Sequence, residues 1–256
     1  MLPGERRNRI LDMLQANRSM TVKTLCDTLE ASEATIRRDL AMLEEDGKLE
    51  RTHGGAILTN QTKLEYEESF HQKESRYGAQ KQAIAAKAFS LLKENDSIVL
   101  DAGTTTYELA RLIGQSTLRI TVITNSTILA GELTGNPNLD LIALGGKVRL
   151  HTQATVGSIA IDTLRRFKVN KAFVAVNGIS ADDGLTTPDL EEAAIKNAMM
   201  SVAVERIVLA DHTKFNRVAL CQIAPLSMVD TIITDRDLDP GLINAFEQQG
   251  IQVTLA

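Results

Sequence analysis

The sequence predicts an α/β protein in two parts: three short helices and a hairpin at the N-terminus, then a larger domain built on a mostly parallel sheet. Two patterns carry the prediction. As far as Leu58, apolar residues recur at helical spacing in three separate runs; beyond Gln80, Val/Ile-rich runs alternate with helical stretches. A chain of 256 residues accommodates both, since domains run to ~100–200 residues. The expected boundaries are 1–58 for the first domain, 59–77 for a linker and 78–256 for the second.

In the first domain Ile10, Leu11 and Leu14 share one helix face, Val22, Leu25 and Leu29 a second, and Ile36, Leu40 and Leu43 a third. Three such faces can close one small core. Ser32 offers the N-cap of the third helix, and Gly47 ends it after Glu44, Glu45 and Asp46. The stretch "KLERTHGGAIL" then gives two short strands around His53-Gly54-Gly55. From Thr59 to about Tyr77 the chain is polar with scattered aromatics and no sustained period, a linker with some helix in it. In the second domain the helix "KQAIAAKAFSLL" leads to the strand "SIVLD", a helix over 104–113, the strand "RITVIT" and a helix over 126–134. The strands "LDLIAL" and "KAFVAVN", a helix over 189–204, the strands "RIVLAD" and "DTIITD", a helix near 239–249 and "IQVTL" complete it. Short Val/Ile-rich strands separated by helices demand a sheet covered on both faces.

Composition bounds the function. Hydrophobic content of 43% and charged content of 24% fit a globular class, and no apolar run approaches the ~18 residues of a membrane span. The N-terminus lacks an apolar signal core. Cys26 and Cys221 lie far apart without metal-ligand spacing, which predicts small core residues, a reducing cytoplasm, and neither a metal nor a cofactor. A net charge of −5 argues against sequence-independent nucleic-acid binding by the whole chain while leaving room for a local basic face.

Such a face is present. "MTVKTLCDTLEASEATIRRDLAMLEEDG" has the layout of a helix-turn-helix, and with Ile36, Leu40 and Leu43 turned inward, Ser32, Glu33, Thr35, Arg37 and Arg38 occupy the outer and leading surface. There a recognition helix meets base edges and phosphates, arginine pairing with guanine and hydroxyls with bases or phosphate. Arg51 and His53 on the hairpin add cations, and the acids crowd the far end of the helix, so the cations share one face. A three-helix interaction module with two solvated arginines is the alternative. The run "SEATIRRDLAMLEEDGKLERTHGGA" closely resembles the winged helix-turn-helix signature of the DeoR family of bacterial transcriptional regulators. The resemblance implies that Ser32, Thr35, Arg37 and Arg38 contact operator DNA, that Arg51, His53 and Gly54 form a wing against the backbone, and that Asp39 orients Arg37 or Arg38.

In "SIVLDAGTTTYELARLI" a strand ends at Asp101, Gly103 permits close backbone approach, and Thr104, Thr105 and Thr106 start a helix. Free N–H groups, hydroxyls and the helix dipole there suit an anion. Neither a Walker lysine nor a glycine triplet is present, so a small phosphate ester fits better than a nucleotide. An ordinary N-cap is the alternative. Further polar clusters end other strands: Asn125 and Ser126, Gly145, Gly146 and Lys147, Asn177 and Gly178, and Asp211 to Lys214. In an open α/β sheet these ends converge on the ligand, with Lys147 and Lys214 placed to neutralise a phosphate and Asp101, Asn125 and Asn177 to bond sugar hydroxyls. "LDAGTTT", "TNS", "LGGK", "GLTTPDLEEAAIK", "DHTKF" and "ITD" resemble the DeoR-type sensor domain, itself similar in fold to ribose-5-phosphate isomerase and coenzyme A transferases. The resemblance implies a phosphorylated sugar or polyol effector gripped by the threonine loop. Members often carry Asp-Gly where this chain has Asn177-Gly178, which removes a carboxylate that could act as a general base.

The expected function is therefore a cytoplasmic repressor of a carbohydrate or polyol catabolic operon, bound to double-stranded operator DNA as a homodimer or tetramer and released by a phosphorylated metabolite. An activator is one alternative. An aldose-ketose isomerase is another, with Asp183, Asp189, Glu191 or Glu192 as base and Lys196 or Lys214 as the cation. Against it, "DLEEAAIKNAM" fits an ordinary amphipathic helix with Lys196 on a solvated face.

Overall fold

A computed structural model describes residues 3–17, 19–45, 49–52, 54–57 and 69–256. The chain forms two compact units, Met1–Lys63 and Leu64–Ala256. Gly47, His53 and the linker residues 59–68 lie outside the described residues.

The first unit runs α1 (Pro3–Asn17), β1 (Ser19–Thr21), α2 (Val22–Leu29), α3 (Glu33–Glu45), β2 (Glu50–Thr52) and β3 (Gly55–Ile57). All nine apolar residues that define the three helix faces are buried together with Leu49 and Ala56. Thr21 caps α2, its hydroxyl accepting the Thr24 N–H at 3.1 Å, and Glu30 ends α2 in the left-handed region. The sheet order is β1-β3-β2, antiparallel throughout, so the hairpin gains a third strand that three residues of sequence were too short to announce. Gly55 lies so close to β1 that a Cβ there would stand 2.0 Å from the Met20 carbonyl oxygen. Asp39 does not orient Arg37 or Arg38. It is 3% exposed and accepts from Arg6 Nε of α1 at 2.5 Å. The reason is helical spacing: position 39 falls three residues after Ile36, on the inner face that packs toward α1.

The second unit contains α4 (Phe70–Glu74), α5 (Gly78–Phe89), β4 (Ser97–Leu100), α6 (Thr104–Gly114), β5 (Ile120–Thr124), α7 (Thr127–Leu133) and β6 (Leu139–Ala143). Next come β7 (Lys147–Arg149), β8 (Ala154–Val156), α8 (Ser158–Leu164), β9 (Val169–Ala175), β10 (Gly178–Ser180), β11 (Gly184–Thr187) and α9 (Leu190–Val202). It closes with β12 (Ala203–Leu209), β13 (Cys221–Ala224), β14 (Thr231–Thr234), α10 (Pro240–Gln248) and β15 (Gln252–Leu255). A seven-stranded parallel sheet has the order β15-β14-β12-β9-β4-β5-β6. Strand alternation divides its apolar residues between two cores. Ile98, Leu100, Val122, Phe173, Ile207 and Ile233 pack with α5, α6 and α7, while Val99, Ile123, Ala172, Val174, Val208 and Ile232 pack with α8, α9 and α10. The chain builds β4 to β6 in one direction and then returns to lay β9 on the other side of β4, so the order reverses between β4 and β9. Outside the carboxyl ends of those strands a crevice opens by topology alone.

Two expectations are corrected here. Residues 69–77 are not linker: Ser69 caps α4 in a reciprocal box with Gln72, and Phe70 is 4% exposed with its ring edge-on to Tyr107 at 5.7 Å. Lys196 is not solvated. It is 4% exposed, because α9 is covered by the parallel sheet on one side and by β13 on the other. The antiparallel sheet β10-β11-β13 and the hairpin β7–β8 were absent from the expected elements, being strands of three or four residues. Both cysteines are free and only half-buried.

Candidate functional site: a phosphate loop at the sheet crevice and a winged-helix face

The crevice between β4 and β9 is built around Asp101 and the first turn of α6. Gly103 is the N-cap of α6, and a Cβ on it would lie 2.5 Å from that of Ala175 at the end of β9, so the loop closes only with glycine. Thr106 is fully buried. Its hydroxyl is shared between the carbonyls of Asp101 at 2.6 Å and Gly103 at 2.9 Å and accepts the Gly103 N–H at 2.9 Å. The first helical bond runs from Tyr107 N–H to Gly103, leaving the N–H groups of Thr104, Thr105 and Thr106 without an intrahelical acceptor. Of the three threonines, then, Thr106 spends its hydroxyl on the cap, and the anion-binding capacity of the loop resides in its backbone.

Beneath the loop Asp101 is 1% exposed. One carboxylate oxygen, Oδ2, accepts the Ala175 N–H at 3.0 Å and pairs with Lys196 Nζ, which also donates to the Ala175 carbonyl at 2.9 Å. The other oxygen, Oδ1, has no hydrogen-bond partner among the described residues. Burial pushes the Asp101 carboxyl above its ordinary value despite Lys196. Lys196 was expected on solvent, and its pairing with Asp101 spans 95 residues of sequence, beyond the reach of any local pattern.

Asn125 and Ser126 belong to the same cluster but are not available as expected. Asn125 Oδ1 accepts the Ala102 N–H and its Nδ2 donates to the Thr155 carbonyl, both at 3.1 Å, while Ser126 caps α7 through the Leu129 N–H at 3.3 Å. Both residues are 2% exposed, and buried polar groups must find partners within the fold. Asn177 Oδ1 accepts the Thr187 hydroxyl at 3.1 Å, and Gly178 packs against the Arg217 carbonyl. Gly145 is exposed, and Gly146 crosses close to the Val156 carbonyl at φ +142°. Lys147 extends to Glu191 at 2.8 Å on the surface. Lys214 stands 4.0 Å from Asp211, whose carboxyl is raised by burial but pulled below its ordinary value overall by Lys214, Thr213 and Lys81. The strands before Lys147 and Lys214 are four strand spacings apart, about 19 Å at ~4.8 Å each. These lysines thus leave well-separated strand ends, and Lys196 is the cation paired with Asp101 beneath the loop.

A second charged layer, unanticipated in sequence, joins α9 to the β7–β8 hairpin. Arg149 pairs with Glu192 and reaches Asp189 at 3.4 Å, and Thr152 donates to Glu192 at 2.5 Å. Burial raises the Glu192 pKa, but Lys196, Thr152 and Arg149 outweigh it and hold the carboxyl below its ordinary value.

On the first unit, Ser32, Arg37 and Arg38 are exposed and Thr35 is half-buried along the leading turns of α3. Ser32 Oγ accepts the Thr35 N–H at 3.3 Å and contacts the Thr35 hydroxyl at 2.8 Å. Arg37 is held by Glu33 at 2.6 Å, and Arg51 lies 3.7 Å from Glu44 with its N–H bonded to the same carboxylate. Exposed pairs of this kind are worth only ~0.2–1 kcal/mol, less than a charge-assisted bond, so neither arginine is locked away from an incoming phosphate. Arg38 pairs with no described residue. Gly54 sits in the hairpin turn, its carbonyl accepting the Val22 N–H at 2.9 Å.

These two sites coincide with two known sequence families. The profile of the DeoR-like helix-turn-helix domain matches residues 6–62, and that of the DeoR C terminal sensor domain matches residues 77–236. The chain is 38% identical over 253 residues to the HTH-type transcriptional regulator GlpR of Haloferax volcanii, covering 99% of this chain and 98% of that one. It is 40% identical over 244 residues to the lactose phosphotransferase system repressor of Lactococcus lactis subsp. lactis, covering 95% of each. Among solved structures, ribose 5-phosphate isomerase A of Methanocaldococcus jannaschii aligns over 53% of each chain at 18% identity with a TM-score of 0.40. With both profiles matched in order and relatives aligned end to end, the chain belongs to the DeoR family.

Proposed function

We propose that this protein represses a carbohydrate or polyol catabolic operon and leaves its operator when a phosphorylated sugar or related metabolite occupies the crevice at the start of α6. The observation that carries the proposal is the pairing, in one chain, of a winged-helix unit with exposed Arg37 and Arg38 and a sheet crevice where three N–H groups of a helix N-terminus await an anion. The repressors among its full-length relatives support the sign of regulation. Ser32, Thr35, Arg37, Arg38, Arg51, His53 and Gly54 face the DNA in this account; Thr104 and Thr105 hold the phosphate, with Asp101 and Lys196 beneath. No described helix is long and apolar enough to cross a membrane, and a DNA-bound protein of this kind acts in the cytoplasm. Paired winged helices on repeated half-sites call for a homodimer or tetramer.

Binding without turnover accounts for the side chains better than isomerisation. The four carboxylates expected as a base are engaged: Asp183 with Ser180, Asp189 with the Glu192 N–H, Glu191 with Lys147, and Glu192 with Arg149 and Thr152. Glu192, held below its ordinary pKa, is also a poor proton acceptor.

Ligand control requires that the effector bind the operator-free state more tightly, and couplings of about 1–3 kcal/mol change affinity ~5–150-fold. Titrating operator DNA at fixed salt with and without a panel of pentose, hexose and polyol phosphates tests this. A drop in operator affinity with at least one phosphate is expected; no change with any of them rejects the proposal.

A further inference from the structure

Three of the four most exposed large apolar side chains among the described residues lie in one neighbourhood: Leu150 at 86%, Leu190 at 73% and Ile159 at 66%. The hydrogen bonds fix their proximity. Leu150 follows Arg149, which reaches Asp189 and Glu192 on either side of Leu190, and the hairpin turn is tied to the same helix start by Thr152. Ile159 follows Gly157, which lies against Glu191 at the end of strand β8. Hairpin tip, α8 start and α9 start thus present one apolar face, on the carboxyl side of the sheet.

We propose that this face is where two copies of the chain meet. It rests on the oligomeric repressor described above and adds the surface that assembles it. A two-fold contact must be self-complementary, and the rim of this face is: exposed Lys147 and Glu191 stand side by side, so rotation about a two-fold axis brings each cation to the other copy's anion. Exchange costs little, because an exposed pair contributes little within its own chain. A chain of net charge −5 repels its own copies, and this balanced rim removes that obstacle locally. Exposed apolar patches bounded by polar residues are characteristic of association sites.

The placement also gives the interface a line to the crevice. Glu192 lies two residues from Leu190, is held by Arg149 of the hairpin, and interacts electrostatically with both Lys196 and Asp101 beneath the phosphate loop. An anion arriving at α6 alters the field on Lys196 and, through Glu192, the seating of the hairpin against the start of α9. Both sides of that hairpin border the partner copy.

The test is the mass of the full-length chain in solution without DNA or effector, measured by light scattering and sedimentation for the wild type, Leu190→Glu, Ile159→Glu and Val204→Glu. Val204 is 73% exposed but stands at the start of β12, at the amino end of the parallel sheet. The wild type is expected to run as a dimer or tetramer, Leu190→Glu and Ile159→Glu to weaken association at least about tenfold while keeping the wild-type far-ultraviolet circular dichroism spectrum, and Val204→Glu to match the wild type. A monomeric wild type, or substitutions at 159 and 190 that leave the mass unchanged, overturns the interface. Dissociation by Val204→Glu equal to that by Leu190→Glu overturns it as well. None of these outcomes depends on which phosphate is sensed, so the effector titration fails or succeeds separately.

Discussion

Replacing Lys196 by methionine isolates the buried pair that underlies the loop at the start of α6. Asp101 and Lys196 are 1% and 4% exposed, so neither charge is shared with solvent, and Lys196 also supplies the donor for the Ala175 carbonyl. Lys196→Met keeps most of the volume, leaves a buried carboxylate without its counterion and should destabilise the second unit by about 3–5 kcal/mol. For a unit of this size that corresponds to a fall in unfolding temperature on the order of 10 °C. The double variant Asp101→Leu, Lys196→Met should recover more than half of the loss, since replacing both members of a buried pair is often neutral. Calorimetry on the full chain reads both. A single variant within ~1 kcal/mol of the wild type, the ordinary cost of losing an exposed pair, would refute the burial argument.

Other expectations follow from the same geometry. Thr106→Val removes the hydroxyl that ties Asp101 and Gly103 together and should cost about 1–2 kcal/mol in unfolding free energy while blunting the effector response. Glu192 has its pKa depressed, so its contribution is present above the ordinary value of 4.5 and is lost as pH falls through the folded value. Glu192→Gln should therefore be less stable than the wild type at neutral pH, with the gap closing on acidification in a denaturant series from pH 7 to about 3. Arg38→Ala should weaken operator binding and reduce the salt-dependence slope by about 1 if Arg38 meets a phosphate, or relax base preference at one position if it meets guanine; fluorescence anisotropy at several salt concentrations distinguishes them.

What sequence conveyed was local. The inward face of α3 and the alternation of Ile98, Val99 and Leu100 between two cores are periodic signals, and the core formed accordingly. Asp39 breaks that periodicity by lying on the inner face, which announces a partner; that the partner is Arg6, 33 residues earlier, depends on how α1 crosses α3. The amphipathic picture of α9 failed for a related reason. Burial extends from the face of Glu192, Ile195, Lys196 and Met199 round to Ala193 and Met200, because a second sheet of very short strands covers part of the helix that would otherwise be solvated. At the site, the threonine run correctly marked a helix start at a strand end, but sequence could not distribute its hydrogen bonds. Thr106, Asn125 and Ser126 turned inward to satisfy the fold, and the cation paired with Asp101 beneath the loop is Lys196, which the helical pattern had placed on solvent.

The account stands on the donors at the start of α6, and one substitution removes a backbone N–H there together with the Thr104 hydroxyl. Thr104 is the first residue of α6, where proline is tolerated because its missing N–H would be unpaired within the helix anyway, and Gly103 already has the extended φ and ψ that a residue before proline requires. Operator binding by Thr104→Pro should match the wild type in the absence of effector, while the phosphate concentration needed for half-release rises about tenfold, the equivalent of ~1.4 kcal/mol. Release at the wild-type phosphate concentration would contradict the central claim that this helix terminus is where the effector is held.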